Sequence, residues 1–302
     1  ILYGPNRPKI DCKGFEIERF KRLFSFSGNL TVTGLSEAIL KSLPAMMIAR
    51  MGGLAAVPVY NFSWKGPSLL SDLVQRSYQS FYPSFQHLVV SGKHKNFLEK
   101  HSTVGMLILG LALCAAGCAL AFNHLVVQAL AGDAFFAGAH ANTAFALAMI
   151  VVPISGFFRI LLPISGNLGK GPLVAMLQLP FFIVSSVILW HFMGLAGIAL
   201  AFAMSMAFKG IYAYVRSPES FEFEGGPISR NVAMASFAAM TLVIATGIAS
   251  SHLTSESGMT ISILGRMLVM PSFPSIILNL IPTYTGIVIT LVSIRKLFQG
   301  FR

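Results

Sequence analysis

At 302 residues, 55% of them hydrophobic and only 11% charged, with a mean hydropathy of +0.72, this chain is too apolar for a soluble domain, which carries about 25% charged residues. Its net charge of +11 is spread over loops rather than gathered in one groove, which excludes a nucleic-acid interface. Several segments run for roughly 20 residues with almost no charge, enough to cross a bilayer, and predict an all-α integral membrane protein of about eight transmembrane helices.

In chain order, residues 1–22 form a hydrophilic, basic lead-in with Arg7, Lys9, Lys13, Arg19, Lys21 and Arg22. It lacks an initiator Met and a signal-peptide pattern, and is read as the start of a piece of something longer. The first span is expected over 23–49 and a Gly- and aromatic-containing turn over 50–65. The second span, 66–90, carries a polar stripe. At about 100° per residue Ser68, Asp72, Gln75, Gln79, Tyr82 and Gln86 share one arc, with Arg76 and Pro83 on its edge. A basic turn with Lys93, Lys95 and Lys100 precedes the third span, 103–122. A loop over 123–142 leads to the fourth span, 143–165. The fifth is placed at 173–191, the sixth at 195–215, the seventh at 231–251 and the eighth at 275–294. Residues 216–230 form a charged cytoplasmic loop, and 231–302 contain the last two spans and a basic tail.

With the N-terminus inside, the cytoplasmic segments hold 15 of the 22 Lys and Arg and the outside loops only three, Arg50, Lys65 and Arg266. The positive-inside rule then sets both ends in the cytoplasm, with anionic inner-leaflet lipid as a sufficient partner for the positive charge. Cys114 and Cys118, one turn apart in an apolar span, read as small packing residues; with Cys12 they build no disulfide framework. Pro44, Pro83, Pro153, Pro163, Pro180 and Pro282 fall in or near spans; any one of them reads as ordinary bundle curvature, and so many together fit a protein that changes shape. Gly194, Gly197, Ala199 and Ala203 offer a small-residue face.

Charges inside a membrane are costly and mark candidate sites. Glu37 with Lys41, and Asp72 with Arg76, are i,i+4 pairs of opposite charge. Counting depth at about 1.5 Å per residue in two antiparallel spans sets Lys41 beside Asp72 and Glu37 beside Arg76. The expectation is a four-charge cluster facing a central cavity, with Gln75, Gln79 and Tyr82 on its polar wall. Its competing reading is a structural ion-pair network. Arg159, about two turns inside its span, suits bidentate phosphate binding, whereas Lys209 is read as snorkelling to the interface. SGNLGKGP (165–172) is not GxxxxGK[ST] and reads as a turn between helices. No metal constellation, cofactor motif or catalytic triad is visible, and the outside loops offer only Asp133 and Glu256 as acids, which disfavours an enzyme such as a glycosyltransferase.

The order of several segments resembles the C-terminal half of polysaccharide transporters, the O-antigen-type flippases of the multidrug/oligosaccharidyl-lipid/polysaccharide exporter superfamily. The segments are FKRLFSFSGNL (20–30), IARMGGLAAVPVYNF (48–62), YPSF (82–85), SGKHKNFLEKH (91–101), FRILLPISGNLGKGPLVAML (158–177) and MGLAGIALAFAMS (193–205). The last two spans match in number and hydropathy only. The resemblance implies the second six-helix lobe (23–215) of a two-lobed exporter plus two extra helices, with the N-terminal lobe of the same chain missing. It implies a flippase for undecaprenyl-diphosphate-linked oligosaccharide in the bacterial inner membrane, with Lys41, Arg76 and Arg159 as its basic cavity residues. Glu37 and Asp72 are the only carboxylates within the expected spans and are the candidates for coupling. A multidrug cation antiporter is the alternative, disfavoured because Lys41, Arg76, Arg159 and Lys209 outnumber those two acids. A non-transporting fragment is the other.

Overall fold

The computed structural model describes residues 17–164, 171–221, 230–253, 259–263, 266–270 and 273–299. Most of the basic lead-in, the 165–170 turn, the centre of the 216–230 loop and the end of the tail lie outside the described residues. In chain order the helices are α1 (Ile17–Met51), α2 (Ala56–Gln79), α3 (Tyr82–Val90), α4 (His94–Leu130), α5 (Ala139–Arg159) and α6 (Leu161–Ile164). They continue as α7 (Gly171–Met193), α8 (Leu195–Phe221), α9 (Arg230–Leu253) and α10 (Phe273–Gln299). A short antiparallel hairpin joins the last two: β1 (Met259–Ile263) and β2 (Arg266–Met270), with Met259 opposite Met270.

The chain is an all-α membrane protein; six of the eight expected spans each fall on one helix, while the second divides between α2 and α3 and the fourth between α5 and α6. Among the described residues six helices, α1, α4, α5, α7, α8 and α10, are long and apolar enough to cross a membrane. Helix α9 carries a shorter apolar stretch, Met234–Thr246, and α2 is the polar one. The second span differs from expectation at both ends. The chain turns in only four residues, Gly52 to Ala55, so 56–65 is helix rather than turn. Pro58 is no obstacle there: in a first turn its missing N–H has no partner to lose. The helix then stops before Pro83, and Tyr82–Val90 forms a separate short helix with that proline at its start. The 123–142 loop also contracts, because α4 runs on to Leu130 and α5 begins at Ala139.

Helix α5 is the staff of the bundle. One side packs Met149, Ile150 and Phe157 into a core shared with α2, α3, α4 and α9. The other packs Ala141, Ala144 and Phe145 into a core shared with α1, α2, α7 and α8. Between helices in lipid no hydrophobic gain drives association, so close contact and hydrogen bonds must do it. At one end a buried amide pair does so. Asn123 Nδ2 donates to Asn142 Oδ1 and to the Ser63 carbonyl, both at 2.9 Å, joining α4, α5 and α2. Ser63 Oγ in turn accepts from Ala137 N–H at 2.8 Å and donates to the Phe135 carbonyl at 3.1 Å, tying down the α4–α5 connection.

Along α4 and α10 the backbones themselves touch. A Cβ on Gly110 would stand 2.8 Å from the Gly286 carbonyl oxygen, and one on Gly286 would stand 2.6 Å from Cys114 N. Gly117 faces Thr283 in the same way. Cys114 Sγ donates to the Thr283 carbonyl and Thr283 Oγ1 to the Cys114 carbonyl, both at 3.4 Å. Small residues at one-turn spacing on each helix allow this approach. Cys114 is thus the packing residue its sequence context predicts. The α7–α8 connection is one residue, Gly194, at φ +55, a conformation open to glycine.

Candidate functional site

Four helices, α1, α2, α5 and α8, enclose the charges. At their centre Glu37 Oε1 accepts from two cations, Arg159 Nη1 on α5 and Lys209 Nζ on α8, the latter at 2.6 Å. Lys209 is 8% exposed, Arg159 16% and Glu37 31%, so the triad is largely withdrawn from its surroundings. A carboxylate between two cations is the arrangement that makes a buried charge tolerable. The Tyr78 hydroxyl rests over Gly156, within interaction distance of Arg159, and a Cβ at Gly156 would collide with it. Arg159 Nε is buried with no partner among the described residues.

Two cavities lie on opposite sides of this triad, and Glu37 and Arg159 line both. The first, of about 190 Å³, lies towards the end of the bundle where α1 finishes. Its walls are Lys41 of α1, Asn61, Trp64, Ser68, Ser71, Asp72 and Gln75 of α2, Val152 of α5, and Phe202 and Met206 of α8. Trp64 is held in place against Phe145 and Phe202, with ring centroids 5.2 and 6.3 Å away. Ser71 Oγ is buried on this wall with no hydrogen-bond partner among the described residues. The second cavity, of about 210 Å³, lies on the other side and is mostly apolar. Leu30 and Thr33 of α1, Gln79 of α2, Ile160, Leu162 and Pro163 line it, with Lys209 at its charged end.

The expected pairings do not occur. Glu37 pairs with Arg159 and Lys209, not with Arg76, and neither Lys41, Asp72 nor Arg76 takes part in an ion pair among the described residues. The cause is helix α2's early start. Counted from the Gly52–Ala55 turn, Glu37 stands level with Leu70 and Ser71, and Arg76 lies about 8 Å further on. Arg76 is exposed and lines neither cavity. Tyr82 lies beyond the α2–α3 break, half-buried against the core around α4, and also lines neither. Lys209 does not snorkel but is buried in the triad. Lys41, Asp72, Gln75 and Arg159 do line the first cavity, and Gln79 the second, as expected of cavity residues.

Sequence reasoning missed Ser71, Tyr78, Asn61 and Trp64. Asn61 and Trp64 fell in the stretch read as turn. Ser71 and Tyr78 fell beside the polar arc, and the cavity-facing side of α2 extends to them. Lys209 carried the signal that marks the others, a lone charge in an apolar span. Among the described residues no group of His, Cys, Asp or Glu could hold a metal ion. No family model, no curated protein and no solved structure matches this chain significantly.

Proposed function

We propose that this bundle is a lobe of a transporter that flips an undecaprenyl-diphosphate-linked oligosaccharide across the bacterial inner membrane, with both chain ends cytoplasmic. The observation that carries the proposal is the first cavity. It combines Lys41 and Arg159 with uncharged hydrogen-bonding groups, Asn61, Ser68, Ser71 and Gln75, and one fixed aromatic wall at Trp64. Sugar hydroxyls call for many modest hydrogen bonds and diphosphate for cations, Arg above all. Around the two cavities Lys41, Arg159 and Lys209 stand against Glu37 and Asp72, which favours an anion over the cationic drug of an antiporter. The segregation of Lys and Arg supports the orientation, and the resemblance of the segments adds a further lobe encoded with this one.

The test is transport in vesicles. The complete protein, with the further lobe proposed for it, is reconstituted with a lipid-linked oligosaccharide on the inner leaflet, and a glycosidase outside reports its arrival. Protein should accelerate arrival over protein-free vesicles, and Arg159→Gln should remove most of the gain. Movement of a cationic dye in place of the oligosaccharide would transfer the chain to the antiporter reading; movement of neither would overturn transport.

A further inference from the structure

We infer that the second cavity is a binding site for an anionic amphiphile, whose phosphate takes the place of the Glu37 carboxylate on Arg159 and Lys209 and whose hydrocarbon lies along the apolar wall. It goes beyond the transport proposal, because it concerns which cavity takes hydrocarbon and stands or falls on binding alone.

Three observations lead to it. First, the cavity has one charged end and otherwise apolar walls: Leu30, Ile160, Leu162 and Pro163 face the space, and Arg159 and Lys209 close it. That division of polarity is the division within a lipid phosphate. Second, the charged end carries more positive than negative charge. One carboxylate oxygen of Glu37 serves both cations, and Arg159 Nε is buried with nothing to donate to among the described residues. A phosphate presents more oxygens than a carboxylate and could satisfy Lys209 and two nitrogens of the guanidinium together. Third, the carboxylate is on a different support from the cations. Arg159 and Lys209 sit on α5 and α8, which pack closely on one another. Glu37 sits on α1, which leans chiefly on α7 and only lightly on α2 and α8. Exchange of the carboxylate for phosphate therefore asks α1 to give way and leaves the cation pair in place. Because Glu37 and Arg159 line both cavities, the exchange also removes one of the groups that separate them.

The full chain in detergent is tested with tritiated farnesyl diphosphate, a small prenyl diphosphate, and with farnesol and inorganic pyrophosphate as competitors. Farnesyl diphosphate should bind at least about tenfold more tightly than either competitor, since each supplies only half of the contacts. Lys209→Gln should weaken it about tenfold, the worth of one charge-assisted hydrogen bond. Leu30→Trp fills the cavity from a wall position that is 44% exposed, so folding is spared, and it should weaken binding to a similar degree. Glu37→Gln should tighten binding by removing the competitor, while Asp72→Asn, on the far side of the triad, should not. Pyrophosphate binding as tightly as farnesyl diphosphate would overturn the amphiphile site in favour of a bare anion site. Unchanged binding in both Lys209→Gln and Leu30→Trp would place it elsewhere and overturn the inference. Binding as expected without any oligosaccharide transport would leave this site standing and remove the transport proposal.

Discussion

The seam between α4 and α10 and the cleft between α1 and α2 are built on opposite principles. Along α4 and α10 the residues are small and neutral, the backbones touch, and Cys114 and Thr283 exchange hydrogen bonds across the contact. Across α1 and α2 the residues are long and polar, and a cavity stands where the contact would be. Glycines show the same contrast. Gly110, Gly117 and Gly286 have no room for a Cβ, whereas Gly28 and Gly34 on α1 have nothing within 4 Å of theirs. In a membrane, where apolar side chains gain nothing by leaving lipid, this decides which helices are fixed and which can move. Dispersion falls off steeply with separation, so a touching seam resists sliding and an open cleft does not.

The largest effect expected from this contrast comes from filling the seam. Gly286→Leu should cost well over the roughly 1–3 kcal/mol usual for an overpacked core, because the nearest atoms are backbone and cannot turn aside. Gly34→Leu, the same change on α1, should cost almost nothing. Thermal unfolding in detergent compares the two directly. Equal losses would show that the two regions do not differ in the way their packing implies.

Second comes Glu37, the one charged tie between α1 and the α5–α8 pair among the described residues. Removing one partner of a fully buried ion pair costs about 3–5 kcal/mol. Glu37 is 31% exposed, so about 2–3 kcal/mol is expected for Glu37→Gln. Lys209→Met in the same chain should return part of that loss, since it removes one of the two stranded charges. Denaturant unfolding of the single and double variants measures it. A double variant worse than the single by the full cost of Lys209→Met would show that the two groups are not coupled.

What the sequence made legible follows the same division. The spans were legible, because length and apolarity are properties of a segment alone. The interior charges were also legible as a set, since each stands out in its own helix. Their pairing was not. Intervals of four within a helix and depths counted along two neighbouring spans kept Glu37, Lys41, Asp72 and Arg76 in one cluster, with Lys41 beside Asp72 and Glu37 beside Arg76, whereas the triad joins α1 to α5 and α8, helices remote in sequence. Nor was the α2 boundary legible: Gly52, Gly53 and Pro58 together look like a long turn, and only the short Gly52–Ala55 connection shows that Pro58 sits in a first turn. That ten-residue error displaced every depth counted from it and moved Arg76 into a cavity it does not line, whereas Tyr82 was carried off the polar arc by the α2–α3 break.

The smallest effect concerns Lys41 and Asp72, which face the first cavity from opposite walls of the cleft. Depth counting alone makes them partners, and then a charge swap, Lys41→Asp with Asp72→Lys, would rescue the two single changes. The structure gives them no ion pair, and both are exposed to the cavity. Exposed pairs that do touch contribute only about 0–1 kcal/mol, and groups without a shared partner add within about 0.5 kcal/mol. The swap should therefore show additive effects on stability, each single change costing about 0.5 kcal/mol or less. Binding should respond differently. Lys41→Gln removes a cation from the polar cavity and should weaken retention of a soluble sugar diphosphate, while Asp72→Asn removes a like charge from its path and should strengthen it. A double-mutant cycle in denaturant, run beside a binding titration, separates the two readouts. A coupling energy above about 1 kcal/mol in the folding cycle would mean that the cleft closes enough for the two side chains to meet, and α1 would then belong with the fixed part of the bundle rather than with the part that moves.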